Sequence, residues 1–246
     1  MKTAFFRFYE ELNDFLSKEK RKTRFEHNFV DRTSIKDMIE SLGVPHTEID
    51  LILVNGNSVN FAYLVNDKDD ISVYPVFESL DISNIQHLRA KPLRNKKFVL
   101  DVHLGTLAKY LRMMGFDTIY KNDYNDEEII EISSNERRTI LTRDRGILKR
   151  NVVTHGYWIR NQNPELQLKE VVERFNLKNQ IREFERCLEC NAKLEKADRE
   201  KIIERLPLKV RQRQNNFWYC KNCDNIYWRG SHFEKMKEII NRVLIE

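Results

Sequence analysis

The chain has 246 residues, of which 33% are charged, a mean hydropathy of −0.63 and a formal net charge of +5. That length allows two domains and a small third module. No apolar run approaches the roughly 18–20 residues that span a bilayer, so a soluble protein with no membrane partner is expected. The opening MKTAFFRFYEELNDF sets acidic residues where a secretion signal needs an unbroken apolar core. Export is not expected, and a reducing cytoplasmic setting makes disulfides a poor use of the four cysteines. The charge is uneven, −4 over residues 1–80 and +9 over 81–246. A basic second region suits a polyanionic partner, with lysine and arginine set against phosphates.

Residues 1–80 read β-β-α-β-β. Residues 3–9 and 24–30 are the first strands. Ser34, or Thr33 before it, opens a helix with Ile35, Met38, Ile39 and Leu42 at spacings of three and four, stopped by Gly43 and Pro45. Residues 50–54 read as a buried strand, Asn55-Gly56 as a tight turn, and 71–74 as a last strand before Pro75. This order resembles the ubiquitin-like β-grasp fold, most of all the small sulfur-carrier proteins. Those carriers end in Gly-Gly, where this chain reads Pro75-Val76-Phe77-Glu78 and runs on. The resemblance therefore implies a binding or regulatory module, with a protein as a candidate partner, and no carrier chemistry. Residues 81–96, DISNIQHLRAKPLRNK, are polar and basic and read as a linker.

From Lys97 strands and helices alternate, so residues 97–180 are predicted to form an α/β domain with a parallel sheet. The run Lys97-Phe98-Val99-Leu100 ends in Asp101. A helix follows with Leu104, Leu107, Ala108, Leu111 and Met114 on one stripe, closed by Gly115. Residues 116–120 form the next strand. Asn125 and Glu128 fit a capping box at the following helix, leaving Asp126 in its first turn. Residues 139–142 form a third strand, followed by Arg143 and Asp144, and residues 156–159 a fourth. Pro164 begins a helix with Leu166, Val171, Val172 and Phe175. Strand-end aspartates also serve as helix N-caps, which is a structural reason for either one alone. At corresponding ends of parallel strands, however, they face one crevice. Carboxylates gathered there repel unless a hard cation such as Mg²⁺ or Mn²⁺ neutralises them.

Cys187, Cys190, Cys220 and Cys223 form two C-x₂-C pairs separated by 29 residues. Two such knuckles complete a tetrahedron of thiolates, so residues 181–246 are predicted to be a zinc ribbon with a closed, structural zinc site. Arg211 and Arg213, among basic residues interleaved with Phe217, Trp218, Tyr219, Tyr227 and Trp228, are candidates for contact with single-stranded nucleic acid.

Taken together, FVLDVHLGTLAKYLRMMGFDT, NDYNDEEI, ILTRDRGILKR, RCLECNAKL and CKNCDNIYWRGSHFEKM resemble the Mut-seven-C proteins, a PIN-like ribonuclease domain with a zinc ribbon behind a ubiquitin-like domain. The resemblance covers essentially the whole chain. It implies a PIN-like α/β/α fold and metal-dependent hydrolysis of RNA. The family's acidic positions would fall on Asp101, Asp126 and Asp144, holding Mg²⁺ or Mn²⁺, with Arg143 beside the last; Asp123 or Glu127 are alternatives near Asp126. Lys109, Arg112, Arg145 and Lys149 are candidates for holding the phosphate backbone. A haloacid-dehalogenase-type phosphatase needs a second aspartate where His103 stands, so that reading fails. The competing class is a non-catalytic adaptor that binds RNA or the ribosome and keeps the α/β core as a scaffold.

Overall fold

The computed structural model describes residues 1–30, 32–75, 88 and 96–245. Apart from Leu88 and Lys96, the expected linker lies outside the described residues. The chain forms two compact units, one of residues 1–94 with 144–158, the other of 95–143 with 159–246.

In the first unit β1 (Lys2–Phe8) and β2 (Phe25–Phe29) form an antiparallel hairpin. Helix α1 (Ile35–Ser41) is capped by Ser34, whose Oγ accepts from the Asp37 amide. It is followed by β3 (Ile49–Val54), β4 (Asn57–Ser58) and β5 (Asp70–Pro75). The strand order is β2-β1-β5-β3-β4, with β1 and β5 parallel and every other pair antiparallel. This is the mixed sheet of the ubiquitin-like fold. Alternation along β1 sends Ala4, Phe6 and Phe8 inward, where Ile35 and Ile39 of α1 meet them together with Ile52, Ile71 and Val73. The turn at Asn55-Gly56 takes positive φ at both residues, as a two-residue hairpin requires. The short β4 that it creates was not predicted, because two residues carry no periodicity.

In the second unit β6 (Lys97–Leu100) lies between two parallel neighbours. Helix α2 (Gly105–Met113) leads to β7 (Asp117–Ile119), and α3 (Asp126–Glu136) leads to β8 (Thr139–Thr142). Both β7 and β8 pair with β6 in parallel. Phe98, Val99, Leu100, Ile140 and Leu141 are fully buried, as expected of strands covered on both faces. The predicted capping box is formed: Asn125 Oδ1 accepts from Glu128 N and Glu128 Oε2 from Asn125 N, each at 2.9 Å. Gly115 has φ +92°, and a side chain there would run into the Arg182 carbonyl. Gly105 is required for a different reason. An added Cβ would lie 2.7 Å from the Tyr120 hydroxyl, which itself donates to the Val102 carbonyl.

After β8 the chain passes through the first unit, forming α4 (Arg145–Leu148) and β9 (Gly156–Trp158), before Ile159 returns it to the second, where its amide donates to Thr142 O. Helix α5 (Pro164–Arg174) starts at an Asn163 cap with Pro164 in its first turn. The remainder comprises β10 (Glu195–Lys196), α6 (Arg199–Ile202), α7 (Leu208–Arg213), β11 (Trp218–Tyr219), β12 (Ile226–Tyr227) and α8 (Ser231–Ile245). Strands β10, β11 and β12 make a small antiparallel sheet over Ile202, Leu206 and Phe217. No helix among the described residues is long and apolar enough to cross a membrane.

A polar network joins β7 to the first cysteine knuckle. Asp117 Oδ1 accepts from Arg138 Nη1 and from Asn191 Nδ2, both at 2.7 Å, and Oδ2 from Arg186 at 3.1 Å. Burial raises the Asp117 pKa, but the hydrogen bonds from Arg138 and Asn191 and the charges of Arg138 and Arg186 outweigh it, so the net shift is downward. A carboxylate held below its unfolded value of about 3.9 stabilises the fold above that pH and loses this contribution as pH falls further, through its folded value. Acid unfolding below about pH 4 is therefore expected to be shallower in Asp117→Asn than in the parent. At neutral pH the same variant is expected to lose about 2 kcal/mol, because buried Arg138 loses one of its two carboxylate partners and keeps only Glu136. Thermal melts across pH, followed by circular dichroism, measure both.

Candidate active site and metal centre

The sheet direction sets where the acidic residues lie. Strands β6 and β8 are parallel neighbours, so their carboxyl ends share one edge. Asp101 follows directly on β6 and is buried. Its backbone amide donates to the Leu141 carbonyl, its Oδ1 accepts from Val102 N at 2.6 Å, and its Oδ2 accepts from Thr142 Oγ1 at 2.7 Å. Each carboxylate oxygen has a second acceptor site beyond those bonds. Asp126 is the first residue of α3, exposed, at the end of that helix reached from the carboxyl end of β7. Asp123 and Glu127 are exposed on either side of it. Asp144 comes two residues after β8, is exposed, and caps α4 by accepting from Gly146 N at 2.7 Å. Both strand-end aspartates thus act as N-caps, as their position alone would require. Arg143, between Thr142 and Asp144, donates through Nη1 to the Asn161 carbonyl.

The cysteines converge. Among the described residues, Cys187, Cys190, Cys220 and Cys223 form a group whose ligand atoms lie within 4.8 Å of one another. Cys187 and Cys223 sulfurs are 3.4 Å apart, as are those of Cys190 and Cys220. Four sulfurs at such separations suit a tetrahedral ion with bonds of about 2.3 Å, so the cluster can hold a metal such as zinc. The first knuckle folds on Cys187, whose carbonyl accepts from Asn191 N; the second repeats it, Cys220 O accepting from Asp224 N. Burial pushes the Cys187 thiol up, but hydrogen bonding by the Tyr227 hydroxyl and the Cys190 and Glu189 backbone outweighs it and brings the pKa to about 7. Burial is the largest cause of the rise of Cys190 to about 12.

The basic candidates divide by what they already hold. Arg112 is corrected here: it is 3% exposed, and its guanidinium donates to the carbonyls of Thr118, Leu188 and Glu189 at 2.8 Å each. A side chain committed to three backbone carbonyls is a strut between α2, β7 and the knuckle, not a phosphate ligand. Lys109, one turn earlier on α2, is exposed and pairs with Glu189 at 3.3 Å. Arg211 donates to the Leu206 and Glu204 carbonyls, ordering the turn before α7, while Arg213 at the end of α7 is exposed. In the first unit, Arg145 lies over the Trp158 ring at 3.8 Å, and Lys149 donates to the Glu40 carbonyl at 3.0 Å. The structural role of Arg112 was not legible in sequence, because its acceptors are backbone atoms 76 and 77 residues away.

A parallel α/β sheet interlocked with a four-cysteine knuckle, in a chain that opens with a ubiquitin-like sheet, defines a narrow class of proteins. Residues 96–240 match the Mut7-C RNAse domain and residues 1–81 the Mut7-C ubiquitin domain, and the chain belongs to the Mut7-C RNAse domain family. Comparison with curated proteins and with solved structures gave no match.

Replacing Arg112 by Ala is expected to destabilise the second unit by on the order of 3 kcal/mol, since several buried carbonyls lose their donor together. Metal analysis should find one equivalent bound to the parent, lost in Cys190→Ala and released more readily by chelator from Arg112→Ala. Equal metal retention in Arg112→Ala and the parent would mean that the guanidinium does not hold the knuckle.

Proposed function

We propose that the chain is a metal-dependent ribonuclease that hydrolyses phosphodiester bonds in RNA, with a PIN-like α/β domain as its catalytic core. The observation that carries the reading is Asp101. A buried carboxylate sits at the carboxyl end of the inner strand β6, oriented through both oxygens, in a chain of the Mut7-C RNAse domain family. Asp126 starts the helix that follows β7, and Asp144 lies two residues beyond β8 in sequence. Those three carboxylates are the donors we assign to Mg²⁺ or Mn²⁺. The donor chemistry fits, since hard divalent cations prefer carboxylate oxygens. A cation bound there would supply charge stabilisation and a more acidic water.

The chain's own residues have separate tasks in this reading. Thr142 fixes the rotamer of Asp101 by donating to Oδ2, so the carboxylate is set before substrate arrives. Arg143, between the strand end and Asp144, is the residue we assign to a phosphate oxygen, through a charge-assisted hydrogen bond. Lys109, Arg145, Lys149, Arg211 and Arg213 supply positive charge for the RNA backbone, with Arg213 the most accessible candidate on α7. The cysteine cluster is assigned a structural zinc, because four thiolates leave no open position for water. A cytoplasmic location agrees with thiolates kept reduced for metal.

Purified protein with labelled RNA is expected to cleave in Mn²⁺ or Mg²⁺ and to stop with EDTA, while the cysteine-bound metal, counted separately, stays in place. Asp101→Asn and Asp144→Asn should each lower cleavage by about 100-fold or more while barely changing RNA affinity, since the swap keeps shape and removes the charge that holds a cation. Arg213→Ala should instead weaken binding and flatten its salt dependence by about one counterion. RNA binding with no cleavage under any divalent cation would replace this reading with the adaptor.

A further inference from the structure

Residues 144–158 belong to the stretch that matches the RNAse domain family, yet they pack within the first compact unit, against α1, the turn at residues 46–48 and Phe15 of the ubiquitin-like domain. The packing is specific. Trp158 packs on Phe15 with ring centroids 5.0 Å apart and planes tilted by 45°, and the Arg145 guanidinium lies 3.8 Å from the same indole. The Trp158 amide donates to Glu48 Oε1 at 2.6 Å, and Glu48 is fully buried. His46 Nε2 meets the Val153 carbonyl at 2.8 Å while its Nδ1 faces Glu40 Oε1 at 2.6 Å. A carbonyl can only accept, so Nε2 carries a proton. At the exposed rim Lys36 Nζ donates to Asn151 Oδ1 at 2.6 Å, and Lys149 donates to Glu40 O. Ile147, Leu148, Val153 and Tyr157 are buried.

These contacts run the length of the segment, and its first residue is Asp144, fixed on α4 by the Gly146 amide. We infer that the ubiquitin-like domain is a positioning element of the nuclease: α1 and the turn at residues 46–48 clamp residues 144–158, and through them set Asp144 and Arg145. The inference rests on the reading of Asp144 as a carboxylate of the catalytic site. Glu48 is the positioning residue with the most leverage. It is a buried carboxylate that receives a backbone N–H at the far end of the segment, and a charge-assisted bond in a buried setting is among the stronger ones available. The face formed by α1 and that turn is thereby occupied by the chain itself, so any separate protein partner of this domain must use another face.

The full-length chain tests this with Glu48→Ala and Glu48→Gln, read by hydrogen–deuterium exchange and by cleavage. Glu48→Ala is expected to raise exchange across residues 147–158 by about 10–100-fold, while β1 and β5 stay protected. Glu48→Gln should recover most of the protection, because its side-chain carbonyl still accepts from the Trp158 amide. In parallel, kcat should fall about tenfold or more in Glu48→Ala with RNA affinity unchanged, and return in Glu48→Gln. If Glu48→Ala also loses protection in β1 and β5, Lys36→Ala at the rim takes its place, with faster exchange expected at residues 149–153 alone. Unchanged exchange in the segment would overturn the clamp whatever the activity. A loosened segment with undiminished kcat would overturn the positioning of Asp144. A parent that binds RNA without cutting it, but shows the expected exchange pattern, would overturn the nuclease reading and leave the clamp supported.

Discussion

The second unit depends on one buried guanidinium. Arg112 lies on α2, a helix the core would hold in place through Leu107, Ala108 and Leu111 alone. Removing an arginine from water is expensive, and the cost is offset only where every direction of the fork meets an acceptor. Here the acceptors are carbonyls of β7 and of the first cysteine knuckle. The knuckle cannot shift without leaving that charge unmatched. Asn191 adds a second tie, accepting from the Thr118 amide at 2.9 Å and donating to Asp117. The cysteine cluster is therefore built into the edge of the parallel sheet rather than carried as a separate bead.

Two aspartates, each in its own unit, follow a different logic. Asp101 and Asp144 each satisfy a backbone amide at the start of a helical turn, and that is sufficient reason for an aspartate in either place. The same bonds also restrict their rotamers, which a metal-binding carboxylate requires. Structural capping and site chemistry are not competing explanations at these positions. Thr142 separates Asp101 from an ordinary cap, because a hydroxyl from the neighbouring strand fixes the carboxylate's other oxygen.

The route of the chain ties the two units together covalently at three places, since it enters the second unit after residue 94, leaves it for residues 144–158 and returns at Ile159. A module defined by sequence similarity and a compact unit defined by contacts need not coincide. Sequence similarity follows the continuous chain, whereas burial of Ile147, Leu148, Val153 and Tyr157 follows whichever apolar face is available. In this protein Trp158 of that segment packs on the apolar core of the ubiquitin-like domain.

The sequence by itself determined the local structure and the chemistry of the ligands. Alternation in β1, the Ser34 and Asn125 caps, the Asn55-Gly56 turn and the C-x₂-C spacing are all encoded within a few residues, where backbone sterics and short hydrogen bonds decide the outcome. The continuous apolar runs of β6 and β8 announced a parallel sheet for the same reason. Tertiary structure alone decided what the charged residues do. Arg112 sat on the helix face opposite the apolar stripe, where a solvated role is the usual one, and became a strut because a knuckle 76 residues later packs over it. Arg145, Lys149 and Glu48 are likewise claimed by partners far along the chain. A charge has no periodicity of its own, and its role is fixed by whatever acceptor the folded chain brings within about 3 Å.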